Sequence, residues 1–381
     1  MARAGFGHGL KISAQGLDKR LAKAESAAFL RGVLEPATLQ AVSAAGPLPA
    51  SLLDRFEAVH VLDSTQLPLP AALAAQWPGT GGSGSGAALK VDVALELKSG
   101  RLRLGLRAGR QADPGSPLAA EPAPGALHLR DLGYFSLARL REQGQRGEYA
   151  ASRLQPGTTA FLEDGGRIDW RRWLGGLARA GVAKLDVPVK LGVAEQLPMR
   201  LLLWRLPEEA AARRRAKLRE NARKKSRQPS AEALALCDWN LPVANAGPER
   251  LGLDEAAALY RVRWQIEPLF KLWKTHARLG RSRSADPNHI LCEIYAKLVG
   301  VLLQHWLALA GLWQNTRRSL VKGGSWSESS PPDWRPSSTN RPRCLGGWRN
   351  WPSASSMAVR STAERKSLIP ANCWKMQRAM A

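Results

Sequence analysis

The most informative stretch of the sequence is residues 260–274, which read YRVRWQIEPLFKLWK. Within it, four polar side chains recur at intervals of three, four and seven residues: Tyr260, Arg263, Glu267 and Lys274. Because an α-helix turns by about 100° per residue, these intervals place all four on one narrow stripe. Apolar residues fill the neighbouring stripe, so we predict one long helix over 254–279 that packs on a core and presents a polar face.

Glu267 borders the apolar stripe of this helix, where an unpaired charge is unfavourable. Two more carboxylates, Asp63 and Asp131, each follow an apolar stretch, 59–62 and 126–130, that we interpret as a strand. We therefore expect both aspartates to project from one end of a central sheet. Three converging carboxylates repel one another unless a divalent metal ion binds, and hard oxygen ligands favour Mg²⁺ or Mn²⁺.

Each of these acids also has an ordinary explanation. An aspartate at a strand end is usually a turn or cap residue, and a glutamate on a charged helix face usually points to solvent. Only the combination indicates chemistry. A set of three carboxylates suits phosphoryl transfer, in which two Mg²⁺ ions about 4 Å apart activate the attacking oxygen and stabilise the leaving one.

Composition points to a polyanionic partner. The 381 residues carry 56 Lys and Arg against 32 Asp and Glu, a formal net charge of +24. An excess of this size attracts nucleic acid through counterion release. The four cysteines include no closely spaced pair, which argues against a zinc site or a disulfide framework. Because no apolar run follows the basic start of the chain, we expect a cytoplasmic, nucleoid-associated protein.

One segment, 288–312, is apolar enough to suggest a membrane span. Four polar side chains interrupt it: Glu293, Lys297, Gln304 and His305. Such interruptions are unfavourable in lipid, so we predict a buried helix of a protein that does not enter the membrane.

The chain divides into five predicted parts with a mixed α/β fold. These are a helical N-terminal region, two parts of one core, a β-rich insertion between them and a disordered tail: 1–50, 51–147 and 233–314, 148–232, and 315–381. The tail is rich in Ser, Pro, Trp and Arg and poor in large aliphatic residues. Such a composition cannot bury a core, and a frameshift in the gene is our hypothesis for it.

Several local elements follow from the same patterns. We predict an N-terminal helix over 13–34 that ends before Pro36, and a hairpin of strands 89–97 and 102–106. A helix over 208–227 carries nine basic residues and either contacts DNA backbone or simply faces solvent. A strand over 234–243 is expected to return to the core.

At this point the sequence resembles the insertion-sequence-4 family of bacterial cut-and-paste DDE transposases. Their signature reads Tyr, two residues, Arg, three residues, Glu, six residues, Lys, and residues 260–274 match every interval. Asp63-Ser64-Thr65 is similar to the first aspartate motif of the family, and Asp131-Leu132-Gly133-Tyr134 to the second. The resemblance is strong over 234–314, moderate over 10–145 and only architectural over 148–232.

This resemblance implies an RNase H-like core that excises an insertion sequence and joins it to a target. Asp63, Asp131 and Glu267 would be the catalytic residues and bind two Mg²⁺ ions, with Mn²⁺ as a substitute. The phosphates of the transposon end would be held by four residues: Tyr260, Arg263, Lys271 and Lys274. Trp239 would stack on a flipped base. The implied partners are terminal inverted repeats, target DNA and a second copy of the chain in a synaptic homodimer.

Three alternatives stay open on the sequence alone. Trp239 can be a core residue rather than a base-stacking one, and Tyr260 can likewise be a packing residue. The protein can be a catalytically inactive DNA-binding remnant, which the unusual tail favours. It can also be an RNase H-like nuclease that cuts without joining, although the stripe that begins at Tyr260 argues against this.

Overall fold

The structure is a computed structural model, and it describes residues 12–39, 51–81, 85–263, 266–282 and 284–311. Within these residues the helices are α1 Ala14–Leu21, α2 Ala24–Leu39, α3 Ser51–Asp54, α4 Pro117–Ala120, α5 Leu137–Gln145, α6 Trp170–Arg179, α7 Glu208–Lys224, α8 Ala231–Leu236, α9 Leu253–Val262, α10 Ile266–Thr275 and α11 Pro287–Gly311. The tail predicted over 315–381 lies outside the described residues.

The strands of the described part form one mixed sheet, which confirms the mixed α/β class. They are β1 Val59–Leu69, β2 Ala87–Glu96, β3 Leu102–Ala108, β4 Leu127–Arg130, β5 Tyr149–Arg153, β6 Ala160–Phe161, β7 Lys184–Leu191, β8 Leu197–Arg205, β9 Trp239–Asn240 and β10 Pro242–Ala244. Their order is β3-β2-β1-β4-β5-β10-β8-β7-β6, with β9 beside β8. β4 runs parallel to both β1 and β5, and the remaining pairs are antiparallel.

The predicted hairpin is confirmed as β2 and β3. Their register pairs Leu95 with Leu102 and Leu89 with Ala108. The turn between them contains Gly100 at a φ of +70°, a backbone conformation that glycine adopts without steric penalty. On its other side, β2 pairs along its whole length with β1. β3 is therefore the edge strand at this end of the sheet.

The sheet separates two hydrophobic cores. Leu201 and Leu202 are adjacent on β8, both are fully buried, and they belong to different clusters. Because successive side chains of a strand point to opposite faces, the clusters lie on opposite sides of the sheet. The larger cluster joins the sheet to α2, α9, α10 and α11, and the smaller one joins it to α5 and α6.

The N-terminal region is helical, but its predicted end was wrong. Two helices form, α1 and α2, and α2 continues through Pro36 to Leu39. Ser13 caps α1 by accepting a hydrogen bond from the Gly16 amide at 3.0 Å. Proline removes one helical hydrogen bond, yet its fixed φ suits a helix. The packing of α2 on α11 offsets the lost hydrogen bond. Local sequence rules do not include such packing.

The strand predicted over 234–243 was also wrong in its first half. Residues 231–236 form helix α8, whose first turn is capped by the Ser230 hydroxyl, which accepts from the Ala233 amide at 3.1 Å. A serine cap followed by alanines and leucines favours helix over strand. The chain then re-enters the sheet as β9 and β10.

The residues predicted as an insertion, 148–232, do not form a separate sheet. β5 pairs in parallel with β4, and β10 joins β5 to β8. The strands on both sides of position 148 therefore belong to one continuous sheet. The basic helix predicted over 208–227 is present as α7 and ends three residues earlier.

Residues Pro287–Leu307 of α11 are long and apolar enough to cross a membrane by length and composition, with a mean hydropathy of 1.3. Buried residues of this helix, including Leu298 and Leu302, join the larger core and pack with α2. Lys297 pairs with Glu293 at 3.3 Å on its partly exposed side. These contacts are those of a core helix, and the prediction that the protein does not enter a membrane stays a prediction.

The two cores make a direct prediction for β8. Leu201→Ala and Leu202→Ala should each lower the free energy of unfolding by about 2–5 kcal/mol, because both leave a cavity in a packed core. The control Val193→Ala, at a side chain that is 69% exposed, should change it by less than about 0.5 kcal/mol. Chemical denaturation measures all three, and a small effect of either leucine variant would contradict the two-core arrangement.

Candidate active site

Asp63 and Asp131 lie side by side because of how β1 and β4 pair. The parallel register aligns Leu62 with Arg130, the last residue of β4. The residue that follows each of them in the chain is an aspartate. The prediction that β1 ends at Asp63 was wrong, since the strand continues to Leu69 and Asp63 pairs with Val93. It is β4 that ends here, and this opens the space beside Asp63.

Neither aspartate is used as an ordinary turn or cap residue. Asp131 precedes the 3-10 turn Leu132–Tyr134, but its side chain makes no capping hydrogen bond. Asp63 accepts a hydrogen bond from the neighbouring Ser64 amide at 2.8 Å through one oxygen. The side chain of Asp131 is 42% exposed and that of Asp63 is 19% exposed, so both carboxylates remain accessible.

Burial dominates the electrostatics of Asp63. It raises the pKa of Asp63 from 3.8 to about 6, and the nearby charges of Asp131 and Glu267 push in the same direction. The Ser64 amide and the Arg263 guanidinium oppose this shift and stabilise the ionised form. The ionised form of Asp63 is therefore destabilised at neutral pH, and a nearby cation would stabilise it.

Arg263 provides positive charge at this place. Its Nη1 lies 3.7 Å from Asp63 Oδ2, and its Nη2 lies 3.3 Å from Asp131 Oδ1. The side chain is 3% exposed, and its Cζ lies 5.3 Å from the centre of the Tyr260 ring. The structure thus places Arg263 and Tyr260, two predicted DNA contacts, in the interior beside the aspartates rather than on an exposed polar face.

The predicted helix over 254–279 is described as α9 and α10, with Trp264 and Gln265 between them outside the described residues. Its periodicity is confirmed in α10. Ile266, Phe270 and Trp273 are buried. The residues that follow each of them, on the neighbouring face of the helix, are exposed: Glu267, Lys271 and Lys274.

Glu267 stands near the two aspartates without joining them. Its charge acts on the Asp63 carboxyl. Within the described part of the chain, however, no three His, Cys, Asp or Glu side chains lie close enough together to hold a metal ion. Two of the three predicted metal ligands are therefore adjacent in this conformation, and the third lies beside them on an exposed helix face.

Trp239 occupies the smaller core. Its side chain is 2% exposed and is among the largest fully buried ones. Arg214 of α7 holds the strand that bears it, donating to the Trp239 carbonyl at 3.1 Å and to Asn240 Oδ1 at 2.7 Å. A base cannot reach this ring as it stands, so the stacking role stays a prediction that requires the ring to leave the core.

The sequence patterns did not reveal a polar network behind the two aspartates. Asp92 of β2 is completely buried and pairs with Arg107 of β3, and Asp113 joins the pair from the following loop. The only signal of this network in the sequence is the charged residue Asp92, which lies between the apolar residues Val91 and Val93 of β2. That pattern indicates a buried ion pair or a solvent-facing strand equally well.

Residues 54–303 match the family model described as "Transposase DDE domain". The transposase for insertion sequence element IS231F of Bacillus thuringiensis subsp. israelensis is 28% identical over 316 residues, which cover 77% of this chain and 65% of that protein. The transposase for IS1151 of Clostridium perfringens is 24% identical over 313 residues, with 77% and 66% covered.

A shorter likeness, 31% identity over 106 residues, links the chain to the putative transposase InsL for insertion sequence element IS186A of Escherichia coli (strain K12). The chain spans about 65% of the length of the IS231F relative that it matches. The family model covers more than half of the 381 residues and includes all three predicted carboxylates. The chain therefore belongs to the family of proteins with a transposase DDE domain.

Proposed function

We propose that this protein is a DNA transposase that excises and inserts an insertion sequence by metal-dependent phosphoryl transfer. The observation that carries the proposal is the adjacency of Asp63 and Asp131 at the end of β4, inside a matching transposase DDE domain. The names of the IS231F and IS1151 relatives support the same activity. We also propose that β1 to β5 form an RNase H-like core of the insertion-sequence-4 type.

Asp63, Asp131 and Glu267 fit a pair of Mg²⁺ ions in their chemistry. All three offer hard carboxylate oxygens. Burial, which raises the pKa of Asp63 to about 6, destabilises its ionised form, and a divalent cation would stabilise that form. Bound there, two such ions would activate the attacking oxygen and stabilise the leaving oxygen of the phosphodiester. Glu267, on the exposed face of α10, would complete the ligand set by turning its side chain towards the aspartates.

Arg263 has a defined part in this proposal. Its nitrogens lie 3.3 and 3.7 Å from oxygens of the two aspartates, so its positive charge offsets part of their repulsion. Once other cations compensate those carboxylates, the guanidinium is available to a phosphate, whose oxygens match its planar geometry. Tyr260 packs against Arg263 and would orient it, while Lys271 and Lys274 would hold the DNA backbone from the exposed face of α10.

The remaining partners follow from the same reaction. Terminal inverted repeats and target DNA would be the substrates, and two copies of the chain would pair across the two ends. The exposed basic residues of α7, including Arg219 and Arg223, add positive surface. Arg215 is instead committed within the protein to Asp238 and Glu208. A cytoplasmic, nucleoid-associated location and Mn²⁺ as a substitute metal complete the proposal.

Glu267→Gln tests the reaction. On a DNA fragment that carries the flanking inverted repeats of the gene, we expect Mg²⁺-dependent nicking by the native protein and a loss of about 100-fold or more in the variant, because one proposed metal ligand is removed. Glu209→Gln, at a side chain that is 90% exposed on α7, should nick normally. Salt-sensitive DNA binding without nicking by the native protein would instead support a catalytically inactive remnant.

Asp63→Asn tests the electrostatics without DNA. A carboxyl whose folded-state pKa is raised to about 6 from 3.8 opposes folding fully above pH 6 and ceases to do so below about pH 4. Thermal unfolding in EDTA should therefore show the variant more stable than the native protein at pH 8, with a smaller difference at pH 4.5. A variant less stable at pH 8 would mean that the contact with Arg263 outweighs burial.

A further inference from the structure

The polar network behind the aspartates is centred on Arg107. This guanidinium donates to Asp92 through Nε and Nη2 at 2.6 and 2.8 Å, and through Nη2 to Asp113 at 2.8 Å. Nη1 donates to the carbonyls of Gln111 and Ala112 at 2.7 and 2.8 Å. All five N–H groups of the arginine are thus in use. A lysine could not replace this geometry, because it has neither the planar fork nor five donors.

The network reaches the residue that follows Asp63. Ser64 Oγ donates to Asp113 Oδ1 at 3.3 Å, and Lys90 Nζ donates to the same oxygen at 3.0 Å. Because side chains alternate along a strand, Ser64 faces the side of the sheet opposite to Asp63. Asp113 therefore holds β1 from behind, one residue away from the carboxylate that faces the site.

The same network reaches the turn that follows Asp131. Tyr134 donates its hydroxyl to Asp92 Oδ1 at 3.4 Å. Gly133 lies so close to Asp113 that a Cβ built on it would stand 2.7 Å from the carboxylate oxygen Oδ2. The turn Leu132–Tyr134 therefore lies against this acid, and a side chain at position 133 would displace the Asp113 carboxylate.

We propose that Asp113, held by Arg107, is a positioning residue that sets the separation of Asp63 and Asp131. On the side of the sheet opposite to Asp63, the Asp113 side chain accepts a hydrogen bond from Ser64 on β1 and lies close to Gly133 in the turn. Two carboxylates that share metal ions tolerate misplacement of only about 0.5 Å, so a partly buried support on the reverse side of the sheet has a direct effect on metal affinity. This inference rests on the proposed function, because it assigns the support to that metal site.

Asp113→Asn tests the inference, since it keeps the shape of the side chain and removes its charge. Mn²⁺ affinity should fall by about 10-fold, the size expected when a group that orients a metal ligand is lost. Nicking should lose kcat with little change in KM for DNA. In the metal-free protein, amide hydrogen exchange should quicken at Ser64 and at residues 132–134.

Glu121→Gln is the matched control. Glu121 forms a two-point ion pair with Arg103, which is on β3 like Arg107, but it contacts neither aspartate segment. Its loss should leave Mn²⁺ affinity and local exchange unchanged. Ser64→Ala, which deletes a single 3.3 Å hydrogen bond, should give a smaller loss in the same direction as Asp113→Asn and serves if that variant does not fold.

Unchanged Mn²⁺ affinity and unchanged exchange in Asp113→Asn would overturn the positioning role, as would a lower melting temperature with both readouts intact. Failure of the proposed function has a different signature. The native protein would then not nick DNA, while the exchange rates at Ser64 and 132–134 would still show whether Asp113 holds the two segments.

Discussion

The parallel pairing of β1 with β4 is the constraint on which the site depends. Backbone hydrogen bonds align Leu62 with Arg130, and the residue after each is an aspartate. Two carboxylates placed together in this way repel, and burial raises the pKa of Asp63 to about 6. On the face of the sheet that bears the aspartates, the positive charge of Arg263 offsets their repulsion. On the reverse face, the two acids of the polar network, Asp92 and Asp113, form ion pairs with Arg107 and Lys90.

Arg263 contacts both aspartates and also has a part in the proposed activity. It is a buried cation whose charge offsets the repulsion between the paired aspartates. A divalent metal bound as we propose would compete with it for the same carboxylates, so metal binding would be coupled to release of the guanidinium towards a phosphate. Such coupling would keep the arginine out of solvent until a metal is present, with the Tyr260 ring beside it.

Much of this arrangement could be predicted from local pattern, and the failures have a common physical cause. The strands before Asp63 and Asp131, the hairpin and the amphipathic helix around Glu267 follow from periodicity. The continuation of β1 beyond Asp63 did not, because Asp-Ser-Thr-Gln is typical of a turn unless a partner strand, here β2, supplies hydrogen bonds. Periodicity also identifies the face of a helix but not what covers it, which is why the burial of Arg263 was missed. The contacts of Asp113 depend on cross-strand register, and no single segment encodes them.

The most direct measurement is an anomalous difference map from crystals of the protein grown with Mn²⁺. The account predicts density for the metal between the carboxylates of Asp63 and Asp131, with the Arg263 guanidinium displaced from its 3.3 and 3.7 Å contacts and Glu267 turned towards the ions. Crystals that contain Mn²⁺ at other places, while Arg263 still bridges the two aspartates, would contradict the assignment of this pair as the metal site.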